Sequence, residues 1–134
     1  MKYLITLILS AWVFTGCQTQ KATNFYEDAS ATDPAISVSF ETPQNLNAVA
    51  RAALSAAEGR EWTVHKVENN RVYASLRHRR YDSQIEIAYS ESGLQIFSNS
   101  WVVSRSGERL RFEHPQGWLN NLEGDILRTL GLAK

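Results

Sequence analysis

The stretch from residue 61 to residue 98 leaves this chain few choices of fold, because apolar and polar residues alternate through it in four short runs. Period-2 alternation is the mark of strands with one buried face. Trp62, Val64 and Lys66 share one face of the first run, over residues 61 to 68. Asn69-Asn70 then makes a two-residue turn whose residues tolerate positive φ, which predicts a hairpin. Over residues 71 to 79, Val72, Ala74 and Leu76 fall on one face and Tyr73, Ser75, Arg77 and Arg79 on the other. Tyr81-Asp82-Ser83 reads as the next turn, Ile85, Ile87 and Tyr89 as a third strand, and Ser90-Glu91-Ser92-Gly93 as a further turn into Leu94, Ile96 and Ser98. Four strands joined by connections this short form an antiparallel meander. Its apolar face has to be covered, while its polar face can meet water.

Two helices supply the cover. Ile36-Ser37-Val38-Ser39-Phe40 reads as a strand, and Thr42-Pro43 then opens a helix with Thr42 as N-cap and Pro43 at its first position. Leu46, Val49, Ala50, Ala53, Leu54 and Ala57 form a stripe at helical spacing, and Gly59 provides the stop. Pro115 suits the first turn of a closing helix with the stripe Trp118, Leu119, Leu122, Ile126 and Leu130, ended by Gly131. Between the meander and this helix, residues 98–114 are irregular. Leu110 and Phe112 alternate there with Arg109 and Arg111, compatible with an added hairpin. The expected fold is α+β, a two-layer sandwich. An antiparallel meander of four to five strands is covered on one face by two helices, in the order β-α-β-β-β-β-α.

The N-terminus addresses the chain to a place. Met1-Lys2 is followed by an uncharged run from Tyr3 to Phe14, then by Thr15-Gly16-Cys17, which contains the chain's one cysteine. A charged start, a short apolar run and small residues make an export signal, too short for a permanent bilayer-spanning helix. The stretch resembles a bacterial lipoprotein signal, whose lipobox ends in a small residue before a lipidated cysteine. The resemblance implies residues 1–16 as signal peptide and Cys17 as an acylated mature N-terminus, palmitate among its chains. It also implies outer-membrane sorting, because Gln18 rather than Asp follows the cysteine. An uncleaved N-terminal anchor, suggested by the bulky Trp12 and Phe14, and a cleaved soluble form are the alternatives. Each buried CH₂ of an acyl chain contributes about 0.8 kcal/mol, so several chains hold durably. Residues 17–35 then read as a small, polar tether and residues 36–134 as a single domain.

Without residues 1–16, 118 residues remain, one domain's worth, with 13 basic residues against 14 acidic ones. Such a balance argues against nucleic acid as a partner. With Cys17 acylated, no thiol remains for a disulfide or a metal.

The closing segment Trp118-Leu119-Asn120-Asn121-Leu122-Glu123-Gly124-Asp125-Ile126 resembles the W-x-x-N-L-x-x-D-I ending of small uncharacterised Gram-negative lipoproteins. In that family a lipobox, a linker, a helix ending near Gly-x-Trp and a meander precede this helix. Gly59-Arg60-Glu61-Trp62 stands at the place of the Gly-x-Trp with one extra residue. The similarity spans roughly residues 44 to 130 and implies fold and location, but no activity.

Catalytic constellations are not legible. His65, His78 and His114 lack metal-ligand spacing, no serine lies in Gly-x-Ser-x-Gly or Ser-x-x-Lys, and the carboxylates scatter over turns and polar faces. No metal or cofactor is expected. The suggestive cluster is basic. Arg77, Arg79 and Arg80 lie at one strand end, and residues 98–114 would bring Arg105, Arg109 and Arg111 alongside them if that segment folds back. Guanidinium groups suit phosphate or carboxylate ligands, so an anionic envelope component or another envelope protein is the expected partner, besides the membrane held through the acyl chains. In the competing arrangement these arginines pair with Glu86, Glu91, Glu108 and Glu113 as a solvated face. The expectation is a lipid-anchored, periplasm-facing binding or interaction module without enzymatic activity. The alternatives are an envelope hydrolase with a His/carboxylate site and a structural or assembly-accessory lipoprotein. Replacing Cys17 with Ser should move the protein out of the membrane fraction on ultracentrifugation; retention of a processed variant there contradicts lipid anchoring.

Overall fold

The computed structural model describes residues 33–132, so the expectations for residues 1–32, Cys17 and Gln18 among them, lie outside the described residues. The elements are β1 (Ile36–Ser39), α1 (Leu46–Gly59), β2 (Thr63–Glu68), β3 (Arg71–His78), β4 (Tyr81–Tyr89), β5 (Gly93–Val103), β6 (Arg109–Phe112) and α2 (Gln116–Thr129). The fold is α+β, as expected. Every strand pairing is antiparallel, in the order β1-β5-β4-β3-β2, and β6 also pairs with β5. β5 is long enough for two partners on one edge. Its Gly93–Ile96 end takes β1, and its Trp101–Val103 end takes β6. The segment expected to be irregular is therefore the end of one strand, a turn and a sixth strand.

The core lies between the sheet and the helices. Val72, Ala74, Ile85, Ile87 and Ile96 are fully buried, as are Leu119, Leu122 and Ile126 of α2, and Leu94 is nearly so. The alanines Ala52, Ala53, Ala56 and Ala57 form most of the buried face of α1. Their short side chains let α1 pack closely against β2, β3 and β4. Ala50 and Leu54, expected in the buried stripe, are only partly buried. The opposite sheet face is not wet throughout. Tyr73 and Glu86 are buried there, the carboxylate by an ion pair with Arg71, the ring beneath Lys66, whose Nζ lies 4.8 Å from its centroid.

Local chemistry moved several boundaries. Asn45 rather than Thr42 caps α1, accepting from the Ala48 N–H at 3.1 Å. Gln44 N–H donates to Glu91 C=O and Phe40 N–H to Ser92 C=O, both at 2.8 Å, and these bonds hold residues 40–44 in extended contact with the β4–β5 turn. At the end of α1 the left-handed residue is Glu61 (φ 65°), two positions beyond Gly59. Trp62 N–H bonds Ala57 C=O and Glu61 N–H bonds Glu58 C=O, the paired bonds of a Schellman cap. α2 ends in the same motif, Leu132 to Leu127 and Gly131 to Arg128, with Gly131 at the left-handed position (φ 71°). A non-glycine residue in that conformation costs about 1–2 kcal/mol.

Asn69 and Asn70 both have positive φ, as the hairpin requires. The β3–β4 turn falls at Arg79-Arg80, not at Tyr81-Asp82-Ser83. Arg79 takes positive φ, and His78 pairs with Tyr81. In β2 a register shift at His65 turns Lys66 to the Tyr73 face and Val67 to the Val72 face. Lys66 therefore does not share a face with Trp62 and Val64.

Gly93 pairs with Ser39 where β1 meets β5. A Cβ at this position would collide with the Val38 carbonyl oxygen, which is backbone and cannot swing aside. Gly93→Ala should lower the unfolding free energy by about 1–3 kcal/mol, the range of overpacked positions, as read by urea denaturation.

Candidate functional site

The six arginines singled out in the sequence lie at one end of the sheet but on different faces. Arg77, on β3, projects from the face the helices leave open. Its guanidinium rests against Gly107 in the β5–β6 turn, where an added Cβ would overlap it. The Val103 N–H donates to the Arg80 carbonyl at 2.7 Å, tying the β3–β4 turn to the end of β5. These contacts set Arg77, Arg79 and Arg80 beside the hairpin that carries Arg105, Arg109 and Arg111. Arg109 lies 5.3 Å over the Trp101 ring and 3.9 Å from Asp82, on the same face as Arg77.

Arg111 is opposite Val102, on the helix side of the sheet, and holds Glu113 at 2.8 Å. Its hydrogen bond, with a second from Tyr81, keeps the Glu113 carboxyl below the usual carboxylate range. Arg79 sits in the turn rather than on a strand face with Arg77. Of the pairings weighed from the sequence, Arg111–Glu113 forms, while Glu86 is taken by Arg71. Among the described residues no ion pair engages Arg77, Arg79, Arg80 or Arg105. Six arginines against Asp82, Glu108 and Glu113 leave this end positive.

A second feature was not anticipated. Arg60, Glu61, Trp62, Leu76, His78, Trp118 and Asn121 line a cleft of about 250 Å³ where the end of α1 meets the start of α2. Trp118 is its centre. Trp62 meets it edge-on at 6.2 Å, Tyr81 at 5.2 Å, and His78 lies tilted at 6.2 Å. Arg60 closes one wall, with Nε 2.7 Å and Nη2 3.2 Å from the two Asp125 oxygens. The segment Gly59-Arg60-Glu61-Trp62 and the start of α2 therefore meet in one place. The spacing could have shown part of this, because Trp118, Asn121 and Asp125 stand at i, i+3 and i+7 on one helix face. What the sequence did not show is that Arg60 and Glu61 face that stripe.

The remaining candidates do not assemble. The hydroxyls of Ser83, Ser98 and Ser100 are buried and bond to one another. His114 packs edge-on against Phe112 at 4.9 Å; its buried Nδ1 has no partner among the described residues, and burial lowers its pKa. His65 bonds Ser75 on the open face. Among the described residues no three histidines, aspartates, glutamates or cysteines gather as metal ligands, and no helix is long and apolar enough to cross a membrane. No known protein family, curated protein or solved structure matches the chain.

Asp125 carries the clearest pH signature. The Arg60 guanidinium foremost, then Arg128, holds its carboxyl down at about 2. A depressed folded-state pKa stabilises fully above the ordinary aspartate value and is lost as pH falls through the folded one. Thermal stability should therefore fall as pH drops from about 4 towards 2, and Asp125→Asn should flatten that part of the pH profile in calorimetry.

Proposed function

We propose that this chain is an exported lipoprotein, anchored through Cys17 to the periplasmic face of the outer membrane, that acts as a binding module for an anionic envelope component. The observation that carries the reading is the seating of the β5–β6 hairpin against Arg77 and the β3–β4 turn. It gathers six arginines at one end of the domain against three carboxylates. Guanidinium forks without carboxylate partners suit phosphate and carboxylate groups, and their planar donors can meet two oxygens at once.

The test is co-sedimentation of the full chain, in detergent micelles, with isolated peptidoglycan sacculi, whose peptides carry free carboxylates. Wild-type protein should pellet with the sacculi, less so as salt rises. The double variant Arg77→Glu/Arg79→Glu should lose about tenfold or more in apparent affinity while keeping its circular dichroism spectrum. Equal pelleting of a folded double variant removes the reading.

A further inference from the structure

We propose that the cleft around Trp118 is a saccharide site, taking one pyranose ring against the indole. The inference does not depend on the anionic-ligand reading, because it uses none of the six arginines.

Much of the cleft's lining is accounted for by the fold. Trp62 is buried and packs on Trp118, Leu76 belongs to the edge of the core, and Arg60 is held by Asp125. Three groups are left over. Glu61 and Asn121 are exposed and make no side-chain hydrogen bond or ion pair among the described residues, and Trp118 is only partly buried. Arg60 also engages Asp125 through Nε and Nη2 alone, leaving Nη1 with two donors. An indole surface bordered by donors (Arg60), an acceptor (Glu61) and a group that is both (Asn121) matches a ring with an apolar C–H face and a rim of hydroxyls. Each hydroxyl both donates and accepts, so it can use either kind of neighbour.

Trp62 stands at 85° to Trp118, so the two indoles form a corner rather than a slot. The cleft lies just below the roughly 300–1,000 Å³ typical of small-molecule sites, room for one ring rather than a chain threaded through.

A second, independent observation comes from the backbone. Glu61 occupies the left-handed position of a Schellman cap whose counterpart on α2 is Gly131. Glycine would be the relaxed choice, and strain of this kind collects at ligand sites. Here the strained residue is the one whose carboxylate lines the cleft.

The strain also supplies a test that separates binding from folding. The full chain, in a detergent without a sugar headgroup, would be titrated with N-acetylglucosamine, glucose and the ring-less polyol sorbitol while tryptophan fluorescence is followed. A saturable change with at least one of the two sugars, and none with sorbitol, is expected. Glu61→Gly should leave thermal stability equal or higher yet weaken the sugar response by about tenfold, and Asn121→Ala should weaken it too. Trp118→Ala should abolish it, while Arg77→Glu/Arg79→Glu should leave it unchanged. No saturable response to either sugar, an equal response to sorbitol, or an undiminished response in both Glu61→Gly and Asn121→Ala would overturn the proposal.

Discussion

The eleven residues of β5 carry the obligation that the rest of the structure meets. A strand at the centre of a sheet must find hydrogen-bond partners along both edges, since unpaired backbone groups out of water are costly. One edge is answered by β4 in unbroken register from Tyr81↔Val102 to Tyr89↔Leu94. The other is answered piecemeal, by β1 from before the first helix and by β6 from just before the last. Both ends of the domain are thereby drawn to one strand, and the helices that adjoin β1 and β6 come to lie side by side over the same apolar face. The meeting of Arg60 with Asp125 and of Trp62 with Trp118 follows from that arrangement.

The two candidate surfaces adjoin each other. His78 lines the aromatic cleft and is the last residue of β3, next to the arginine turn. Tyr81 packs on Trp118 and donates to Glu113, which Arg111 holds in turn. A continuous chain of contacts therefore runs from the indole to the basic hairpin.

The periodic parts of the sequence were legible because burial writes itself into alternation. Ile85, Ile87, Leu94 and Ile96 read as inward-facing and are buried, and Leu119, Leu122 and Ile126 likewise. What escaped was set by partners distant in sequence. Asn45 caps α1 because Gln44 and Phe40 bond the far turn at Glu91 and Ser92. The turn at Arg79-Arg80 lacks the glycine or asparagine that announces positive φ. Irregularities in the ladder, at His65 and between Val102 and Val103, change which face a side chain takes without any sequence mark. The second of these belongs to the hairpin that sends Arg109 and Arg111 to opposite faces, so the arginine cluster could be named from the sequence but its surface could not be drawn. The cleft was harder still, since it needs the end of one helix and the start of another to meet.

The shift at His65 matters for more than where Lys66 points. Among the described residues β2 ends the sheet, and no strand covers its outer edge. Val67 lies exposed on β2, the kind of residue that invites another strand to pair there. An irregular ladder spoils the even spacing an incoming strand needs, and the neighbouring Lys66–Glu68 ion pair puts charge at the approach. At high local concentration, that small fault in the strand works against neighbouring domains zipping together edge to edge.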